Sequence, residues 1–409
     1  MSTTLTMSVN DGTEPINPSY LSESKNWPEF TTTPGEQATR LADENDRELV
    51  RIASTQHDLL NRNFLKQTRA NVGTAEGLIS ILCSGTLNFN GAVVRDVIAP
   101  RIAAACAAGE PVRIVMPVFC KIGNRAKLMF NQRPSAAEEV SLRSLTHVAR
   151  QLSQWYSPGV LFSLVTDARL YGSWLRNPAP TITAYNNSLR QLRDEISTNG
   201  EVELIEYDEL LSEFSREFEQ GIHAGMQRVV LNDPELYAAL STNEIYESVR
   251  ASINTSTLGM TYKDLKECFG PQQNPDNPFL AVLAKQALES TASMLAGRHA
   301  CRSLEPRLFT RRFGPNYVRA TIHRAVATPV LGLRIYPDYK RSSQQLPYHG
   351  VPLFYRDGDC RGSDSRNGDS RGRGRVKMLV APETRFYGDP TLERVTHNDG
   401  ETYFYQSVK

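Results

Sequence analysis

Residues Val112 to Trp174 read VRIVMPVFCKIGNRAKLMFNQRPSAAEEVSLRSLTHVARQLSQWYSPGVLFSLVTDARLYGSW. Val112 to Phe119 is a short apolar run rich in β-branched residues, which predicts a buried strand. From Pro134 to Tyr156 the large apolar residues recur as Leu142, Leu145, Val148, Leu152 and Trp155, the spacing of one helix face. Pro134 suits the first turn and Ser135 offers a side-chain cap. Ser157-Pro158-Gly159 stops the helix, and Val160 to Thr166 is a second buried-strand run. Two strands around one helix make a βαβ unit, whose crossover is right-handed in nearly all cases.

Parallel strands bring their carboxyl ends to one edge of the sheet, and open α/β sheets bind ligands in the crevice outside that edge. Just past the first strand lie Lys121, Asn124 and Arg125; just past the second lie Asp167 and Arg169. Such a set suits a polar, anionic small molecule. The alternative is a group of solvated loop residues, because position in a fold is only analogy.

Working outward, Gly91 to Ala108 predicts a helix interrupted at Pro100 and closed by Gly109. Gly35 to Arg69 reads as one long or two short polar helices with a sparse inner face, and residues 1–35 as a disordered tail. Beyond Asp167, Ile182, Tyr185, Leu189, Leu192 and Ile196 mark an amphipathic helix, Val202 to Glu206 a third strand, and Tyr207 to Phe218 another helix. From Gly221 to Gly297 the chain reads mainly helical, broken at Pro271 to Pro278. From Pro315 the character changes to strands at 317–323, 329–337, 351–355, 376–381 and 402–408, expected to pair as antiparallel hairpins or meanders. The expected fold is α/β: a Rossmann-like, mostly parallel sheet flanked by helices, with a helical insertion and a C-terminal β-rich part. The expected organisation is a tail at 1–35, an α/β core at 36–220, a helical subdomain or lid at 221–314, and a β-rich part at 315–409. Within the last, residues 356–375 are low in complexity and read as a flexible inter-strand loop. Its Arg/Gly content is compatible with RNA, but four aspartates dilute its charge.

In the strand from Tyr317 to His323, alternation puts Val318, Ala320 and Ile322 on a core face, and Tyr317, Arg319, Thr321 and His323 on the other. Arg319 and His323 then lie ~13 Å apart at ~3.3 Å per residue, a span that suits the two ends of a small phosphorylated sugar. An outward face in solvent is the plain alternative.

Composition narrows the classes of function. The 409 residues carry a formal net charge of +1, so no global field points to nucleic acid or an anionic membrane. Apolar runs fall far short of the ~20 residues of a spanning helix, and the polar start shows no secretory pattern, so a cytoplasmic protein is expected. Cys83, Cys106, Cys120, Cys268, Cys301 and Cys360 form no CxxC pair and read as free thiols. Cys120 is the one to note, since the neighbouring Lys121 could lower its pKa. There is no nucleotide phosphate loop, no strand-linked GxGxxG, no HExxH and no GxSxG. The histidines show no metal-ligand spacing, so no metal or cofactor is expected.

Taken in order, PVFCKIGN (117–124), PSAAE (134–138), YSPG (156–159), LVTDARLY (164–171), AYNNSL (184–189), VRATIH (318–323) and PYHG (347–350) resemble the signature of the isocyanide (isonitrile) synthase family, which includes pyoverdine/paerucumarin-cluster and dityrosine spore-wall proteins. The resemblance spans roughly Glu36 to Tyr355. It implies condensation of an amino acid amine, commonly of tyrosine or tryptophan, with the ketone of ribulose 5-phosphate, followed by fragmentation of the sugar without a metal. It implies a place in natural-product biosynthesis, with downstream tailoring enzymes as partners. By the same resemblance Lys121, Asp167, His323 and His349 are the catalytic candidates. Asn124, Arg125, Arg169, Arg319 and Tyr348 are the substrate-binding candidates. Glu138 reads instead as a first-turn helix residue favoured by the dipole. Ser135, Ala168, Gly123 and Tyr348 stand where the family pattern has Asp, Gly, Ser and Trp, departures that bear on the amino acid used more than on the reaction. Two other readings stay open: a divergent member joining or cleaving C–N bonds on another amine and sugar phosphate, and a non-catalytic RNA-binding protein working through the Arg/Gly loop.

Overall fold

The computed structural model describes residues 37–55, 74–84, 87–88, 94–118, 133–166, 169–170, 172, 177–226, 278–321, 330–333, 350–356, 376–381, 383 and 386–408. The strand-helix-strand stretch folds as its periodicity predicts. Strand β2 (Val112–Pro117) pairs in parallel with β3 (Val160–Thr166), and helix α4 (Ala136–Ser153) connects them. Strand β4 (Val202–Glu206) adds to the far side of β3, again parallel, after helix α5 (Ala179–Ile196). Helix α3 (Arg95–Ala108) leads into β2, and Gly109 closes it in the left-handed region at φ 68°, a conformation glycine adopts without steric cost.

The sheet is completed from the other direction. Strands β5 (Val318–Thr321) and β6 (Leu331–Gly332) also run parallel and lie on the opposite side of β2, giving the order β4-β3-β2-β5-β6. The runs at 317–323 and 329–337 were expected among antiparallel hairpins; their described parts belong to the parallel sheet instead. The reason is the intervening helix α8 (Pro278–Phe313), long enough to carry the chain back along the sheet so that β5 starts at the same end as β2. The strands after residue 315 are thus divided between two sheets.

The second sheet is mixed, with the order β1-β9-β10-β7-β8. Strands β7 (Val351–Arg356) and β8 (Val376–Ala381), like β9 (Leu392–Thr396) and β10 (Thr402–Ser407), form the expected antiparallel pairs. Strand β10 lies parallel to β7. Strand β1 (Thr39–Leu41), in a segment read from sequence as helical, pairs in parallel with β9, and helix α1 (Glu44–Thr55) follows it.

Helix α4 lies between the two sheets. Nearly all of it is buried, including Glu138, Glu139, Ser141, Ser144 and Thr146. One apolar cluster runs from Ile114 and Phe162 of the first sheet, through Val140 and Leu145 of α4, to Phe354, Val395 and Phe404 of the second. The other face of the first sheet carries Val115, Val165 and Ile205. It is covered by Leu304, Leu308 and Phe309 of α8 and by Tyr207 of the short helix α6 (Tyr207–Leu211). Helix α2 (Thr74–Leu82) packs beside α3, and α7 (Ser215–Met226) runs along α8.

Candidate functional site

Because β2, β3, β4, β5 and β6 are all parallel, their carboxyl ends share one edge. The described part of that edge is charged. Arg169, three residues past β3, places Nε 2.7 Å from Oε2 of Glu206, the last residue of β4. Arg190 of α5 reaches the same carboxylate, Nη2 to Oε1 at 2.5 Å, and also Glu209 at 3.2 Å. Register explains the meeting: Thr166 and Glu206 are partners across β3 and β4, and Arg169 follows Thr166 by three residues. Glu206 is buried, while Arg169 and Arg190 remain half open to water. A guanidinium has five donors, so each arginine keeps N–H groups for a further anion.

Asp208 stands beside this cluster, in the first turn of α6. Water reaches it, yet protein crowds it. Burial raises its carboxyl above the ordinary value, Arg169 opposes that shift, and Glu206 and Glu209 reinforce it. A guanidinium beside a carboxylate at one sheet edge is complementary to a zwitterion. Sequence reasoning singled out Arg169 and missed Arg190, Glu206 and Asp208. The signal that would have found Glu206 and Asp208 is their position at and just past the third strand's end, the place searched on the first two.

Arg319 lies within β5 rather than at its end. Alternation is as expected: Val318 and Ala320 are buried, and Arg319 and Thr321 lie on the opposite face. That face looks toward α8, and the guanidinium is held by the Glu305 carboxylate of that helix, with Nη2 at 3.4 Å from Oε2. Arg319 is thus an ion-pair partner, drawn along the sheet face instead of toward the edge. Lys121, Asn124, Arg125, Asp167, His323, Tyr348 and His349 lie outside the described residues, as does Cys120. Cys83 and Cys106 are free thiols. Among the described residues no group of three or more His, Cys, Asp or Glu side chains could hold a metal, and no helix is long and apolar enough to cross a membrane.

Two of the motif residues do meet, in the opening turns of α4 and α5. Ser135 caps α4 in a capping box: its Oγ accepts from the Ala137 N–H, and the Glu138 carboxylate accepts from the Ser135 N–H at 2.8 Å. Tyr185 of α5 donates its hydroxyl to Oε1 of Glu138 at 3.1 Å. Both side chains are fully buried. Glu138 is therefore a cap and an inter-helix tie, in keeping with its reading as a first-turn residue.

A model of the pyoverdine/dityrosine biosynthesis proteins matches residues 102–372. The chain belongs to that family. It is 22% identical over 272 residues to an L-tyrosine isonitrile synthase from Xenorhabdus nematophila, covering 65% of this chain and 75% of that protein. An L-tyrosine isonitrile synthase from Pseudomonas aeruginosa is 36% identical over 104 residues, 25% of this chain, and the match spans only 31% of that relative's length. The crystal structure of the PvcA protein from Pseudomonas aeruginosa is similar over 77% of this chain and 92% of its own, with 24% identity and a TM-score of 0.47. The family match begins within α3 and takes in the whole parallel sheet, while β8, β9 and β10 lie beyond its end.

Proposed function

We propose that this protein is an isonitrile synthase that turns the amine of an amino acid into an isocyanide and takes the carbon from ribulose 5-phosphate. The observation that carries the reading is the family match over residues 102–372, the stretch that contains every strand of the charged edge. The named activity of the relatives supports it, and L-tyrosine is the first substrate to try. In the proposed reaction the amino nitrogen bonds to the sugar's ketone carbon with loss of water. That carbon is bonded to two others in the sugar, so both carbon–carbon bonds then break. C1 leaves as a one-carbon aldehyde, the part from C3 to C5 leaves as a separate three-carbon fragment, and the ketone carbon stays on nitrogen. Such chemistry calls for cations at the phosphate and for groups that move protons at the amine and the sugar hydroxyls.

The edge supplies residue types of that kind. Lys121, with Arg125, serves the phosphate and Asn124 the hydroxyls, all on the segment that leaves β2. Arg169 receives the amino acid carboxylate, and Asp167 or Asp208 the ammonium. His323 and His349 are the candidates for proton transfer, with Tyr348 beside the substrate. Arg319 would have to exchange Glu305 for a phosphate to take part, so it ranks below the others.

The test is direct. Purified protein is incubated with ribulose 5-phosphate labelled at its ketone carbon and, in turn, with tyrosine, tryptophan and the other amino acids. An isocyanide carrying the label is the expected product, and Lys121→Ala should lose it while melting close to wild type. No isocyanide and no consumption of the pentulose with any amino acid would reject the reading.

A further inference from the structure

The turn between β9 and β10 lies outside the family match, yet it grips the start of α4. Three separate contacts make the grip. The His397 Nε2 lies 3.2 Å from the Pro134 carbonyl oxygen. A carbonyl can only accept, so Nε2 carries the proton. The Arg133 Nε pairs with Oδ2 of Asp399 at 2.8 Å. Tyr403 donates its hydroxyl to Oε2 of Glu139 at 2.6 Å, and both side chains are buried.

The local backbone aims these groups. His397 N–H donates to the Glu401 carbonyl at 2.8 Å, Gly400 N–H donates to the His397 carbonyl at 2.9 Å, and Gly400 adopts φ 83°. Pairing of β10 with β9 shifts register between Thr402 and Phe404, a bulge. A bulge lets consecutive residues face one side of a sheet. Tyr403 and Phe404 accordingly both enter the main core, Tyr403 against Glu139 and Phe404 edge-on to Phe354 at 5.0 Å. The His397 ring packs on Tyr403 with centroids 4.7 Å apart, and burial keeps its pKa below the ordinary value, so the ring stays neutral near pH 7.

Arg133 and Pro134 are the last links of the connection that carries Lys121, Asn124 and Arg125 from β2 to α4. Whatever fixes the Pro134 carbonyl and the Arg133 guanidinium fixes one end of that connection. We propose that the β9–β10 turn is a clamp, with His397 and Asp399 as positioning residues for Arg133 and Pro134, where the connection from β2 enters α4. That the clamped segment handles substrate rests on the isonitrile synthase reading; the clamp itself does not. Groups held in place by outer residues keep the geometry that catalysis needs, and a loosened support misplaces them.

Hydrogen exchange of the full chain, read by mass spectrometry, tests the clamp without substrate. His397→Phe keeps a ring against Tyr403 and removes the donor; His397→Gln keeps an N–H donor near the position of Nε2. The expected result is exchange about fivefold faster over residues 133–139 in the Phe variant, the effect of one ordinary hydrogen bond. Residues of α8 should be unchanged, and the Gln variant should return to the wild-type rate. Asp399→Asn should act in the same direction as the Phe variant. Wild-type exchange over 133–139 in His397→Phe overturns the proposal, and so does an equal rise in α8 or a Gln variant no better than Phe. With substrates, the clamp predicts a raised KM for ribulose 5-phosphate in the Phe variant and its recovery in the Gln variant. Faster exchange in the Phe variant, alongside a wild-type protein that makes no isocyanide, would leave the clamp standing and remove the enzyme reading.

Discussion

Glu201 shows how much one buried carboxylate contributes here. It begins the turn into β4, and Arg150 of α4 donates to it through Nε at 2.5 Å. The Ser197 hydroxyl and the Asn199 backbone N–H also donate to Oε2, at 2.9 Å and 3.1 Å. Burial by itself raises the carboxyl; the hydrogen bonds led by Arg150 outweigh it and hold the pKa at about 2. A carboxyl lowered on folding stabilises the native state above its unfolded value and loses that contribution as pH falls toward the folded one. The size is on the order of 3 kcal/mol, at 1.36 kcal/mol per pH unit of difference. Glu201→Gln should therefore lower the melting temperature clearly at pH 7. The gap from wild type should close between about pH 5 and pH 2, and a gap that persists at pH 2 would deny the linkage. Such partners were hidden in the sequence. Arg150 and Glu201 are fifty-one residues apart, and neither spacing nor composition joins them. The same holds for Arg319, whose strand face was legible from alternation while its capture by Glu305 was not.

Elements were the legible level. Helix α4 and strands β2, β3 and β4 stand close to where apolar periodicity and the Ser157-Pro158-Gly159 stop placed them, because each buries a face that its own residues spell out. Partners of strands were less legible. Whether β5 joins a parallel or an antiparallel neighbour depends on the reach of α8, a long-range property that no local window records. Strand β1 is three residues long, and its neighbourhood reads as helix. Packing between helices was hidden too. Gly221 and Gly225 let α7 approach α8: a Cβ on Gly225 would sit 2.8 Å from the Ala296 Cβ and 3.2 Å from its Cα. In an isolated helix Gly→Ala gains roughly 0.5–1 kcal/mol. Here the contact is with backbone, which cannot swing aside, and overpacking costs typically about 1–3 kcal/mol. The clash should win. Gly225→Ala is expected to lower stability in chemical denaturation, and a stabilised variant would show that the two helices part freely.

At the scale of the whole molecule, two sheets share one core through α4, so the charged edge and the C-terminal hairpins belong to one cooperative structure. Arg356 and Val376 are register partners at the open end of the β7–β8 hairpin, and the chain from 357 to 375 simply joins them. A turn of about four residues can close such a hairpin. Replacing 357–375 by Gly-Asn-Gly-Ser should leave the fold intact and gain about 1 kcal/mol from the shorter closure. It should leave isocyanide formation unchanged. Loss of activity in a well-folded variant would bring the Arg/Gly segment back as a functional part.

Strand β1 lies against β9, with Thr39 opposite Arg394 and Leu41 opposite Thr396. On a ribosome adding about 5–20 residues per second, that early strand waits roughly 20–70 s for its neighbour. Until then its backbone donors and acceptors face water or a chaperone, and the far sheet cannot close around α4. Birth of the native molecule is thus timed by its last hairpin, however early the first sheet has assembled.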